Sequence, residues 1–267
     1  MRGFVMAAIV LAAAFVVTYI FFVRTYVGQI VDERAFNGAA DQHALIVRIS
    51  GAFLGDVAVV SIVGGIVLTL LIGGLTRRPK HIVVALAAGV IALGFAELSK
   101  YVFLSRAQTG ATDVFNNSFP SGHATVAAAA GLAVFLVSTP RWRPLAAVLG
   151  GAFAVLTGIM AVISQWHRPS DVVAAFMLVG VCGCLAGVTL SLWHVPPAAR
   201  PAGSLKPLWW ISAVAAVVSL AAFVLIYVAV HQHGSHREIA YIGGSAAILA
   251  IGSGFAAAAN RLFRTMS

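Results

Sequence analysis

Long apolar stretches separated by short polar breaks dominate the chain. Runs near twenty residues fall at roughly 3–23, 52–75, 82–104, 121–139, 144–165, 170–193, 207–230 and 238–260, and each is long enough to cross about 30 Å of hydrocarbon as a helix. The pattern predicts eight membrane-spanning helices, an all-α polytopic bundle. The first run, Phe4 to Val23, follows Met1 and Arg2 and ends in Phe21-Phe22-Val23-Arg24. A signal-peptide core is shorter and closes on small residues, so this run reads as a retained span. The second run is interrupted by Asp56, and residues 28–50, with Asp32, Glu33, Arg34, Asp41 and Arg48, are too polar to cross. That segment is expected to lie on the external membrane surface.

Composition agrees with the pattern. Of the 267 residues 61% are hydrophobic and 9% charged, and the mean hydropathy is +0.98. A soluble domain carries about a quarter charged residues, so a water-soluble globule is excluded. The formal charge of +9 does not indicate a nucleic-acid partner, because the basic residues form no stripe or arm. They punctuate the gaps between apolar runs. With the N-terminus inside, ten of the 17 basic residues (Arg2, Arg77, Arg78, Lys80, Arg141, Arg143, Arg200, Lys206, Arg261 and Arg264) fall on the inner side, and all eight acids fall on the other. The positive-inside rule therefore puts both termini inside a cell inner (plasma) membrane. Trp142, Trp166, Trp193, Trp209 and Trp210 stand at span ends, as interfacial anchors do. Cys182 and Cys184 are two apart on a helix, point to different faces and read as small packing residues. Gly183-x-x-x-Gly187 reads as a helix-packing feature.

Three polar regions meet the external side under this topology, and polar groups in a membrane protein are costly and tend to be functional. The first is Glu97-x-x-Lys100 with Arg106; the second is Pro120-Ser121-Gly122-His123; the third is His167-Arg168-Pro169-Ser170-Asp171. In the second, Pro and Ser announce a helix start, and Gly122 leaves the first-turn amides open to an anion. His123 in that turn could donate a proton. In the third, Pro169 suits the first helical position, so Asp171 can reach back to His167, fix its tautomer and leave the other ring nitrogen as nucleophile or base. The alternative is a plain helix cap, which a second His, a Lys and an Arg on the same face make less apt. His231, His233 and His236 read as a polar loop rather than a metal site. His81 and His194 read as inner interface residues.

These motifs resemble the type 2 phosphatidic acid phosphatase superfamily, whose signature runs Lys-x6-Arg-Pro, Pro-Ser-Gly-His and Ser-Arg-x5-His-x3-Asp. Here Pro120-Ser121-Gly122-His123 and His167-x3-Asp171 match, within roughly residues 95–175. The resemblance implies His167 as the nucleophile that forms a phosphohistidine, Asp171 as its orienter and His123 as the acid for the leaving group. Lys100, Arg106, Ser121 and Gly122 would hold the phosphate. No metal and no cofactor is implied. It also implies a six-span phosphatase core at 1–195. Two additional C-terminal spans at 196–267 lie outside that core, with shielding of a lipid groove, a partner surface and dimerisation as open alternatives and the oligomeric state open. Two positions depart from the pattern. Five residues, not six, separate Lys100 from Arg106, which sets them about 120° apart on a continuous helix, so Arg106 can serve only if the helix has ended near Phe103. Ala161 stands where the third motif has Arg, and Arg168, beside the nucleophile, is a candidate substitute; an Arg168 facing solvent or headgroups is the alternative. The reading is a lipid phosphate or diphosphate phosphatase acting at the outer face. Phosphotransfer to a lipid or sugar hydroxyl, and a non-catalytic transporter or scaffold on the same frame, are the competing functions.

Overall fold

The computed structural model describes residues 1–40, 44–112, 116–193, 203–231, 236–264 and 266. The chain is a polytopic helical membrane bundle. Helix α1 spans Arg2–Thr18 and runs into a π-turn at Tyr19–Val23; α2 is Tyr26–Ala40; α3 is Ala44–Leu75. Helix α4, Pro79–Leu98, ends in a second π-turn at Ser99–Phe103. Then come α5, Gly122–Val137; α6, Arg143–Ile163; α7, Pro169–Leu192; α8, Lys206–Val228; and α9, Arg237–Leu262. Seven of these helices, counting the π-turns with α1 and α4, are long and apolar enough to cross a bilayer, while α5, with 16 residues, is shorter.

Two boundaries differ from the sequence reading. The polar segment 28–50 is not one surface element: α2 takes its first part, and residues 44–50 form the first turns of α3. With 32 residues, α3 is roughly 48 Å long, more than a bilayer core needs. Its first turns can therefore stand outside the hydrocarbon, and the exposed Asp56 lies near that boundary rather than at mid-depth.

Helix α7 is the axis of the bundle. It is 67% buried along its apolar window, against 11% for α1 and 17% for α8, whose Val, Ile and Leu side chains face outward. Such apolar exposure is what lipid rather than water tolerates. Helix α5 packs on α3, α4, α6 and α7; α9 packs on α8, α2, α6 and α7. Gly183 and Gly187 are packing positions, a Cβ at the second falling 2.4 Å from the Phe4 ring. Both cysteines are buried and free, and all five tryptophans are exposed. At the end away from α2, Arg143 is buried and donates to the carbonyls of Phe263, Met266 and Ser138.

Helix α2 is a lid rather than a span. It docks through two close approaches that only glycine permits: a Cβ on Gly28 would lie 2.0 Å from the Phe21 carbonyl oxygen, and one on Gly38 2.2 Å from that of Arg237. Gln29 donates to the Val23 and Ala107 carbonyls, and Gln165 donates to the Phe36 carbonyl. The lid is thereby tied to the ends of α1, α4 and α6.

Candidate active site

The third sequence region is shaped by how α6 ends. Gln165 N–H bonds to Val162 O and Trp166 N–H to Ala161 O, the double closure of a Schellman end, with Gln165 in the left-handed region at φ 58°. This turn reverses the chain and drops His167 into the interior at 7% exposure. Pro169 then opens α7 at its first position, where a missing N–H costs nothing. Asp171, in the same first turn, accepts from the Arg168 backbone N–H at 3.0 Å and from Ser118 Oγ at 2.7 Å. Its Oδ2 approaches His167 Nδ1 at 3.4 Å, which is long for a hydrogen bond. The pair is placed but not closed.

The second region forms the opposite wall. Ser121 caps α5 by accepting from the Ala124 N–H, and its own N–H donates to the Asp171 carbonyl. The starts of α5 and α7 are thus joined by a backbone bond. Helix geometry leaves the Gly122 and His123 amides without an intrahelical acceptor. The His123 ring lies 6.1 Å from that of His167 and 5.1 Å from that of Trp166, centroid to centroid.

The first region arrives through the π-turn that ends α4. It inserts a residue into the helical period and turns Lys100 inward to 14% side-chain exposure, with Glu97 at 3.9 Å. A Cβ at Gly122 would meet Lys100 Nζ at 3.6 Å and Glu97 Oε1 at 3.4 Å, so the ammonium lies against the α5 start. The chain is extended from Leu104, and Asn117 holds this corner by donating to the Lys100 and Leu104 carbonyls. The helix has therefore ended at Phe103, and Arg106 turns into the interior at 7% exposure.

The unsatisfied atoms mark what the site awaits. Among the described residues, Arg106 Nε, Nη1 and Nη2, Asp171 Oδ1, His123 Nδ1 and His167 Nδ1 are all buried without a hydrogen-bond partner. Burial, then the like charge of Arg168, pulls the Arg106 guanidinium below its ordinary value, against Asp171, Asp32 and Glu33; it remains a cation. A buried guanidinium with no partner is costly and calls for an anion.

Arg168 is differently placed. Its Nε and one Nη donate to Glu33 at 2.8 and 2.6 Å, and its guanidinium lies over the Phe36 ring. It faces neither solvent nor headgroups. Burial lowers its proton affinity, and Glu33, Asp171 and Asp32 more than restore it. Ala161 is fully buried against Leu54 and Val57 of α3, so no cation comes from that position. His81 stands in the first turn of α4, at a span end, and is buried. His194 and His233 lie outside the described residues.

Sequence reading missed four contributors: Ser118, Asn117 and, from α2, Asp32 and Glu33. Ser118 stands two residues before the Pro-Ser-Gly-His run. The two acids carry one signal, adjacent carboxylates in a membrane protein with only eight acids, where such groups tend to be functional. A cavity of about 250 Å³, lined by Leu132, Phe135, Val179 and Phe255 among others, touches none of these residues.

Two histidines, a carboxylate and two cations from three chain segments thus converge at one end of a helical membrane bundle, around the start of α5. The PAP2 superfamily model matches residues 57–196, and the chain belongs to that superfamily. Membership points to phosphatase-type chemistry. No curated protein and no solved structure matches the chain. The match covers α3 from its middle through α7; α1, α2, α8 and α9 lie outside it.

Proposed function

We propose that the protein is a lipid phosphate phosphatase working through a phosphohistidine at the external face of the inner (plasma) membrane. The observation that carries this reading is the buried Arg106 guanidinium, whose three nitrogens have no partner among the described residues, in the same polar cluster as the His167–Asp171 pair. A phosphate supplies the acceptors it lacks. Lys100 and the Gly122 and His123 amides would take further phosphate oxygens, with the α5 dipole favouring the anion.

With Nδ1 turned to Asp171, His167 attacks phosphorus through Nε2. The bond from phosphorus to the leaving oxygen breaks, and the His123 imidazolium gives that oxygen its proton. Neutral His123 then takes a proton from water as the water oxygen attacks the phosphohistidine, freeing phosphate and restoring both rings. The 3.4 Å His–Asp distance is expected to shorten with phosphate in place, as catalytic hydrogen bonds do on ligation.

A lipid substrate fits the surroundings. Lys100 is followed by Tyr101, Val102 and Phe103, which are 75%, 66% and 60% exposed, so the cation borders the lipid-facing surface. Purified protein should release phosphate from long-chain phosphate esters in mixed micelles, more efficiently than from short soluble ones, and with chelator present. His167→Ala should form no acid-labile phosphoenzyme. Phosphate release by the His167→Ala protein at the wild-type rate would end this reading.

A further inference from the structure

Helix α2 lies outside the family match, yet it grips the segment that carries the nucleophile. Asp32, 2% exposed, accepts the Ser170 backbone N–H on Oδ1 and the Ser170 hydroxyl on Oδ2. Its neighbour Glu33 holds Arg168. Residues 168 and 170, in the turn that follows His167, are therefore both fixed by carboxylates, and Asp171 beside them is a third. A cap alone would not need this arrangement, since Asp171 already satisfies the Arg168 N–H and an uncharged acceptor would serve Ser170. What Asp32 adds is a titratable charge beside Asp171.

We infer that Asp32 is a positioning residue whose proton occupancy tunes the phosphate site through the first turn of α7; the inference rests on the phosphatase reading above. The groups around Asp32 are asymmetric. On one side lies an apolar cavity of about 340 Å³, to which α8 and α9 contribute Ser219, Phe223, Ile226, Ala240 and Gly243 among others, and none of its lining from those helices is titratable. On the other side stand Asp171, Arg168 and Arg106, with Glu33 next in sequence. Burial, then the Asp171 charge, pushes the Asp32 carboxyl up to about 7, against the Ser170 hydrogen bonds and Arg168. The charge of the cluster therefore changes near neutrality.

The direction follows from Coulomb's law. With Asp32 protonated, Arg106 has its full charge to offer an incoming phosphate. With Asp32 ionised, the carboxylate competes for Arg106 and repels the anion. The proton-bound form is the competent one. It is present below the folded value and lost as pH rises through about 7, so the site should weaken on the alkaline side.

The test uses full-length protein in detergent, with KM and kcat for a lipid phosphomonoester in mixed micelles. Inorganic phosphate, read by the shift in melting temperature, serves as a ligand that needs no turnover. Between about pH 6 and about pH 8 the wild type should lose on the order of tenfold in phosphate affinity, the effect of one unit charge in a partly buried site. Asp32→Asn, neutral at every pH, should abolish that loss. Ser170→Ala, which removes a hydrogen bond favouring ionised Asp32, should instead move the midpoint to higher pH. Asp32→Asn with the wild-type pH profile, scaled down uniformly, would reduce Asp32 to a structural cap and overturn the inference. If Asp32→Asn does not fold, an unmoved midpoint in Ser170→Ala overturns it equally. Absence of phosphate release by the wild type from every lipid ester would sink the phosphatase reading, whereas the phosphate-induced melting shift would still decide the role of Asp32.

Discussion

Arg106 and Arg168 are both buried cations from the same end of the bundle, and their surroundings give them opposite parts. Arg168 has Glu33 within 2.6 Å; Arg106 has no hydrogen-bonding partner among the described residues. Removing Arg168 strands a carboxylate that is 16% exposed. Arg168→Ala should therefore lower stability by roughly 3 kcal/mol, the scale of a broken buried pair. Arg106→Ala removes a buried guanidinium whose hydrogen bonds no described residue satisfies. It should leave the melting temperature unchanged or raised while cutting kcat/KM by about 10²–10³, as loss of a preorganised donor does. Thermal melts and steady-state kinetics on the two variants separate the roles. The same contrast applies to the histidines: His123→Ala should cost about 10²–10⁴ in turnover of an alkyl phosphate, and much less for a nitrophenyl ester, whose leaving group needs no proton. A loss equal on both substrates would remove His123 from the acid role.

At the scale of elements, the long helices were readable because a twenty-residue apolar run has few other uses, and the starts of α5 and α7 because Pro, Ser and Asp announce a helix N-terminus by local chemistry. Two elements were not. The π-turn at Ser99–Phe103 has no local pattern that distinguishes it from helix, so the sequence could state the condition for Arg106 to reach the site but not that the helix stops in time. Helix α2 was seen only as a polar segment. Its value lies in contacts between residues 32–33 and 168–170, some 135 positions apart, and no periodicity encodes a partner at that distance. The glycine contacts make the lid testable. Gly28→Val would drive side-chain atoms into the Phe21 carbonyl and should lift α2 from the bundle. The expected result is at least a tenfold loss of activity with far-ultraviolet circular dichroism nearly unchanged, because α2 itself is only 15 residues long. Full activity in this variant would mean that the lid is dispensable.

For the whole molecule, the charge bias along the chain predicts that the Arg77 end is cytoplasmic and the active-site end external. Arg77→Cys and Gln108→Cys, both at exposed positions, test this in a background lacking Cys182 and Cys184. A membrane-impermeant thiol reagent applied to intact cells should label position 108 and spare 77; the reverse would invert the orientation. The bonds between α2 and the start of α7 also impose an order of events during biosynthesis. When α2 leaves the ribosome its carboxylates have no partners, because Arg168 and Ser170 have not been made. Asp32 and Glu33 must stay hydrated while α3 to α6 enter the bilayer, and they can be desolvated only once α7 has arrived and α9 has come to rest beside them. A nascent chain thus carries His123 and Lys100 before His167 and Asp171 have joined them. Catalytic competence comes late in translation, as the bundle closes.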